Sequence, residues 1–128
     1  MEKEMTGSEY QKLAMRTNDG KNSRRLEDKL LNYTYADIGG ILDGCLGLTG
    51  ESGELIDLFK KWIFHGHQLD EEHAKKELGD VLWYTAEIAD SFGWDLDEIM
   101  QMNIDKLKAR YPEGFSAELS NHRKEGDI

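Results

Sequence analysis

Between Ala74 and Phe92, apolar residues and one threonine recur at spacings of three and four along the chain. This period is that of an α-helix with one face in a core, whereas a β-strand alternates with a period of two. Gly93 follows the pattern and predicts the end of the helix, and Asp70 precedes an acidic first turn. The apolar column contains Ala74, Leu78, Val81, Leu82, Thr85, Ile88, Ala89 and Phe92.

Three more helices and no convincing strand are predicted from the rest of the chain. The first runs from about Ser8, as N-cap, to Arg16, and residues 18–25 are predicted to be a flexible loop. The second runs from about Thr34 to Phe64, with an expected break near Gly47. The fourth starts near Asp95 and ends at Tyr111-Pro112, and an irregular tail follows over residues 112–128. Short connections favour an all-α, antiparallel bundle of about four helices.

Length and composition predict one domain, residues 1–128, with a helix and loop in residues 1–30. The net charge of −10 argues against binding nucleic acid through a basic surface. Cys45 is the only cysteine, which excludes an intrachain disulfide and fits a reducing compartment. No signal peptide is evident, and Asp43 and several glycines interrupt the most apolar stretch, so a cytoplasmic protein without a membrane span is expected.

Glycines recur at intervals of three or four in the second predicted helix. Each glycine inside a helix costs about 1 kcal/mol relative to alanine, so the series needs a reason. A closely packed partner helix is the preferred explanation, and a local bend or a ligand near Gly50 and Gly53 are the alternatives. The series contains Gly40, Gly44, Gly47, Gly50 and Gly53.

Two pairs of carboxylates are the most informative chemical feature. Glu51 and Glu54 are three residues apart, as are Glu77 and Asp80, and this spacing places each pair on one helix face. Two such helices facing each other bring four oxygen donors together. Four carboxylates repel one another unless a cation lies between them, and oxygen ligands alone favour Mg²⁺ or Mn²⁺ over zinc. The alternative is that these are ordinary surface residues among 26 acidic ones.

A row of polar residues on the fourth helix is the second candidate. Asn103, Lys106 and Arg110 follow one another at spacings of three and four, as a phosphate-binding row would. Asn103 interrupts an apolar stripe, so a neighbouring side chain or a ligand is expected to bond to its amide. Lys61, near the end of the second helix, is a weaker candidate, because lysines there are also favoured by the helix dipole.

These motifs together resemble the MazG-like nucleotide pyrophosphohydrolases. The resemblance covers about residues 30–123 and is carried by residues 47–55, 77–84, 103–107 and the Arg110-Tyr111-Pro112-Glu113-Gly114-Phe115 segment. Gly50 stands where the family pattern usually has the first of three glutamates. This difference leaves Glu51 and Glu54 in place, but it is expected to affect the support of the ligands or the number of ions bound.

The resemblance implies an all-α homodimer or dimer of dimers that cleaves nucleoside triphosphates to monophosphate and pyrophosphate with Mg²⁺. The implied metal ligands are Glu51, Glu54, Glu77 and Asp80, with Glu51 or Glu54 orienting or deprotonating the attacking water. Lys106, Arg110 and Lys61 then hold phosphates, and Asn103 contacts the nucleotide. Other readings are a phosphoribosyl-ATP pyrophosphohydrolase, a dUTPase-like enzyme, or a non-catalytic dimerising module. The preferred base is not predicted.

Overall fold

A computed structural model of the chain describes residues 2–122, and these residues form six α-helices and no strand. The helices are α1 (Gly7–Ala14), α2 (Asn22–Asn32), α3 (Ile38–Phe64), α4 (Glu71–Phe92), α5 (Leu96–Arg110) and α6 (Ala117–Asn121). A 3-10 turn, Met15–Thr17, follows α1. The predicted all-α class is confirmed.

Side-chain caps fix the starts of the three long helices. Asp37, Asp70 and Asp95 each precede a helix and accept a hydrogen bond from a backbone N–H of its first turn. Gly93 ends α4 in the left-handed conformation, with a φ of 71°, which a residue with a Cβ adopts only at a cost. Helix α5 ends at Arg110, directly before Tyr111, so the predicted ends of both α4 and α5 are confirmed.

The N-terminal part and the tail differ from the prediction. The expected loop at residues 18–25 runs into a helix, α2, because Arg25 pairs with Asp19 and the helix-forming residues that follow outweigh the polar start. Thr6, not Ser8, is the N-cap of α1 and accepts a bond of 3.1 Å from the N–H of Glu9. The tail contains the short helix α6, capped by Ser116. Residues 123–128 of the predicted irregular tail lie outside the described residues.

The closest packing in the described chain is between α3 and α4, which run antiparallel. Three glycines of α3 face α4: a Cβ at Gly40 would meet the Ser91 hydroxyl, one at Gly44 would lie 2.5 Å from Ile88, and one at Gly47 would enter the Tyr84 ring. The close-packing explanation of these glycines is therefore correct. Helix α3 continues through Gly47 without the expected break, and the ring of Tyr84 fills the space that a side chain at Gly47 would need.

Gly47→Ala is expected to destabilise the fold by about 1–3 kcal/mol, because the new methyl group would overlap the Tyr84 ring. Gly50→Ala is the matched control, since nothing lies within 4 Å of a Cβ at Gly50. This second change should stabilise the fold by about 1 kcal/mol through helix propensity alone. Urea unfolding of both variants measures the difference. Equal changes of the free energy of unfolding in the two variants, in the same direction, would contradict the packing of Gly47 against α4.

Much of the apolar surface remains uncovered. Ala89 is the only hydrophobic side chain in residues 2–122 that is more than nine-tenths buried, whereas Leu46 and Leu82 are 75% and 65% exposed. Helix α5 contacts the other described helices only sparsely, so its apolar stripe is also open. None of the described helices combines the length and hydropathy that crossing a bilayer requires.

Candidate metal centre

Three of the four predicted ligands meet at the α3–α4 seam. Glu51 lies one turn beyond Gly47 on α3, and Asp80 lies one turn before Tyr84 on α4, so the antiparallel packing brings them opposite each other. Glu77 completes the group and lies one turn before Asp80 on α4. One carboxylate oxygen from each residue lies within 4.8 Å of the others. The predicted convergence of the two helices is thus present for these three residues.

Glu54 stands at the edge of this group. It is exposed and contributes no oxygen to the group of three, but its side chain interacts with Glu77 and its charge acts on Glu51. A side chain of this length at the rim of the cluster can turn inward once positive charge is present. The role of Glu54 as a ligand stays a prediction.

The carboxylates perturb one another strongly. The Glu77 carboxyl opposite Glu51 raises the pKa of Glu51 to about 7, and desolvation and the charges of Glu54 and Asp80 add to the shift. The same interaction, together with a contact from His73, lowers the pKa of Glu77. Glu51 and Glu77 therefore share a proton near neutral pH, with Glu51 as its main holder.

The residues present fit a divalent cation. Glu51 Oε2 and Glu77 Oε2 are both enclosed by the protein, and neither has a hydrogen-bond partner in the described part of the chain. An enclosed carboxylate oxygen without a partner is costly, and a cation between the two would satisfy both. An all-oxygen donor set beside open space suits Mg²⁺ or Mn²⁺, which keep water and phosphate oxygens in their coordination shell.

Raising the pH from about 5 to about 8 is expected to lower the melting temperature of the metal-free protein. The pKa of Glu51 is about 7 in the folded chain against an ordinary 4.5, so across this range the folded chain binds more protons than the unfolded chain. Stability from the shared proton is complete below the ordinary value and is lost as the pH rises through about 7. The lowered pKa of Glu77 acts with the opposite sign, but only at more acidic pH.

Thermal melts across this pH range, in EDTA and in Mg²⁺, test the shift. Mg²⁺ binds the deprotonated carboxylates and should restore stability at high pH, and Glu51→Gln should flatten the metal-free profile. A melting temperature that rises with pH in EDTA would contradict the shared proton.

His73 is a site residue that the sequence reasoning missed. Its Nε2 lies 3.1 Å from Glu77 Oε1, one helical turn away, and so orients the carboxylate from outside the cluster. The i, i+4 spacing of His73 and Glu77 was the available signal, but the same spacing is common on exposed helix faces.

The adjacent aromatic residues Trp83 and Tyr84 of α4 have different surroundings. Tyr84, not Trp83, packs into the glycine seam, while Trp83 is 60% exposed. Trp83 instead lines an opening of about 310 Å³ together with Glu51, Asp80 and Tyr84.

The predicted phosphate-binding residues lie apart from the cluster in the contacts described. Asn103 and Lys106 are exposed on α5, and neither has a hydrogen bond or ion pair to the carboxylates within residues 2–122. Asn103 was expected to be buried, but the stripe around it is open in the single chain. Arg110 lies over the ring of Tyr111. Lys61 pairs with Asp57 on its own helix at 2.8 Å, which lowers the pKa of Asp57.

Comparison with known proteins adds an independent finding. The model of the MazG nucleotide pyrophosphohydrolase domain matches residues 44–115, which include all four carboxylates and α5. The Gene 37 protein of Mycobacterium phage L5 is 33% identical over 81 residues, which is 60% of this chain and 71% of that protein. No solved structure matches the chain.

Proposed function

The chain belongs to the MazG nucleotide pyrophosphohydrolase family, and on this premise we propose that it hydrolyses nucleoside triphosphates to monophosphate and pyrophosphate with Mg²⁺ or Mn²⁺. The observation that carries the proposal is the pair of enclosed, unpartnered oxygens of Glu51 and Glu77 within a cluster of three carboxylates. Removal of non-standard or surplus triphosphates from the nucleotide pool is the role that this reaction suits.

The chain's own residues divide the work as follows. Glu51, Glu77 and Asp80 would hold the cation, with Glu54 reaching in from the rim. A bound divalent cation supplies positive charge to the phosphate oxygens and makes water more acidic. Glu51, which lines the opening beside Trp83, would orient the attacking water or accept its proton. His73 keeps the Glu77 carboxylate oriented, and Glu54 is the alternative proton acceptor.

A direct assay tests the proposed function. The protein is incubated with a panel of canonical, deoxy and modified triphosphates, with Mg²⁺ or with EDTA, and pyrophosphate and orthophosphate are measured separately. Pyrophosphate and monophosphate as the only products in Mg²⁺ support the proposal. Activity confined to dUTP or to phosphoribosyl-ATP would favour the corresponding specialised enzyme. No turnover, together with no stabilisation by Mg²⁺ and a non-hydrolysable triphosphate, would favour a non-catalytic module.

We also propose that the working form is a homo-oligomer, at least a dimer. The supporting observation is that Leu46, Leu82 and the apolar side of α5 are exposed in the single chain, and exposed apolar surface is typical of contacts between proteins. Gly40, Gly44 and Gly47 do not contribute to this proposed interface, since they pack against α4 of the same chain. A second chain over these faces would also bring cationic side chains of α5 towards a carboxylate cluster.

Sedimentation at micromolar concentration is expected to show a species at least twice as heavy as the 14.7 kDa chain. Leu82→Glu should shift this species towards the monomer, because it places a charge on an apolar contact surface. A wild-type protein that sediments only as a monomer would contradict the oligomer.

A further inference from the structure

A groove of about 590 Å³ lies beside the C-terminal half of α4, where its lining includes Trp83, Glu87, Asp90 and Trp94. Trp83 lines both this groove and the smaller opening beside Asp80, so the two spaces adjoin. Asp80, Trp83, Glu87 and Asp90 follow one another at spacings of three, four and three, which places them along one side of the helix. From Asp80 to Asp90 this side of the helix is about 15 Å long, which leaves room for a sugar and a base beyond a phosphate held at Asp80.

The groove has indole rings at both ends. Trp83 meets Tyr84 edge-on, with ring centroids 5.1 Å apart, and Trp94 stacks on Phe92 at 4.0 Å. Each indole is therefore supported from behind, and both are still more than half exposed. Supported and exposed aromatic rings are suitable surfaces for stacking a planar base.

The polar lining of the groove consists of two carboxylates with different surroundings. Glu87 Oε1 is enclosed beside Gly44 of α3, where it has no hydrogen-bond partner in the described chain. Desolvation and Asp43 raise the pKa of Glu87, so this carboxylate faces the helix interface and not the open groove. Asp90 is exposed and makes no side-chain hydrogen bond or ion pair with any other residue between 2 and 122. Asp90 is thus the acceptor available to a ligand.

Resting on the proposed function, we propose that this groove holds the base of the nucleotide and that Asp90 selects guanine. Guanine presents two adjacent N–H donors, at N1 and at the 2-amino group, and a carboxylate offers two parallel acceptors. Adenine and cytosine present one amino group beside an acceptor nitrogen, which a carboxylate repels, while thymine and uracil present one N–H between two carbonyl groups. Two charge-assisted bonds therefore form only with guanine.

The charge of the groove also sets the direction in which the nucleotide lies. Glu87 and Asp90 disfavour phosphate groups at this end, whereas a cation at Glu51, Glu77 and Asp80 attracts them to the other. The base then lies towards Trp94 and the phosphates towards the cluster.

Isothermal titration of the Mg²⁺-loaded protein with dGMP and dIMP tests the inference without requiring turnover. The two ligands differ only by the 2-amino group. The wild-type protein should bind dGMP about tenfold more tightly than dIMP, because dIMP leaves one carboxylate oxygen without its bond. Asp90→Asn should remove this preference, so that dGMP and dIMP bind about equally tightly. The ratio of kcat/KM for dGTP to that for dITP should fall in the same way. Asp97→Asn, an exposed aspartate outside the groove, is the matched control and should keep the preference.

Equal binding of dGMP and dIMP by the wild-type protein, or an unchanged preference in Asp90→Asn, would overturn the inference. A change in sedimentation of Asp90→Asn with no change in base preference would also overturn it and would assign the groove to a second copy of the chain. The proposed function fails separately: if no triphosphate releases pyrophosphate while Asp90 still determines the dGMP preference, the base site stands and the hydrolase does not.

Discussion

Replacing Asp80 with alanine is expected to lower Mg²⁺-dependent kcat/KM for triphosphates by about 10³-fold or more. Asp80 is the exposed member of the cluster, on the side that opens towards Trp83, and therefore faces the space where phosphates would lie. A cation contributes several kcal/mol of transition-state stabilisation, and each 1.36 kcal/mol corresponds to a factor of ten in rate. Glu54→Ala is expected to act in the same direction.

The stability of the same variants separates a ligand from a structural residue. Removing one carboxylate relieves repulsion within the cluster, so the melting temperature of metal-free Asp80→Ala should be equal to or above that of the wild type. The increase in melting temperature that Mg²⁺ causes in the wild type should be absent in Asp80→Ala. Glu72→Ala, on an exposed turn of α4 away from the cluster, is the control and should keep both activity and the Mg²⁺ response. A helical Asp80→Ala variant with normal turnover would refute the assignment.

Lys106→Ala is the second large effect expected, a loss of about 10²–10³-fold in kcat/KM. Lys106 lies apart from the cluster within one chain, so this expectation rests on the proposed oligomer, in which its exposed ammonium would meet phosphate oxygens that the cation does not hold. Such a contact strengthens as the leaving pyrophosphate gains charge. The melting temperature without ligand should hardly change, because the side chain contributes nothing to the packing of α5 in the described chain.

Two controls define the outcome for Lys106. Lys108→Ala lies on the opposite side of the same helix and should retain activity. If α5 reaches the site of another copy, mixing inactive Lys106→Ala with inactive Asp80→Ala should restore part of the activity through hybrid oligomers. Early melting of Lys106→Ala with normal turnover of its folded fraction would make Lys106 a structural residue.

Local chemistry made the long helices and the cluster of three carboxylates predictable. Asp70 caps the start of α4 with a side-chain hydrogen bond, and Gly93 ends the helix in a left-handed conformation. Both effects depend only on residues nearby in the chain. The cluster followed from three-residue spacings on two helices. Helix α2 was missed because its first residues are polar, although the residues that follow them favour a helix.

Contacts between distant residues could not be predicted in the same way. Trp83 and Tyr84 are adjacent and both aromatic, and only the position of Gly47 across the seam decides which one packs. Asn103 was expected to be buried because its neighbours are apolar, but burial depends on what covers α5. The shared proton of Glu51 and Glu77 likewise depends on how closely two helices approach, which spacing along one helix does not set.

The short connection between α3 and α4 has a consequence for how the site forms during folding. All four carboxylates fall within a stretch of about 30 residues that folds back on itself once, so no distant part of the chain has to arrive before they meet. Such a helical hairpin has low contact order and closes rapidly, since the loop entropy to be overcome is small. The donor set is therefore an early product of folding, and Mg²⁺ should accelerate refolding as well as slow unfolding.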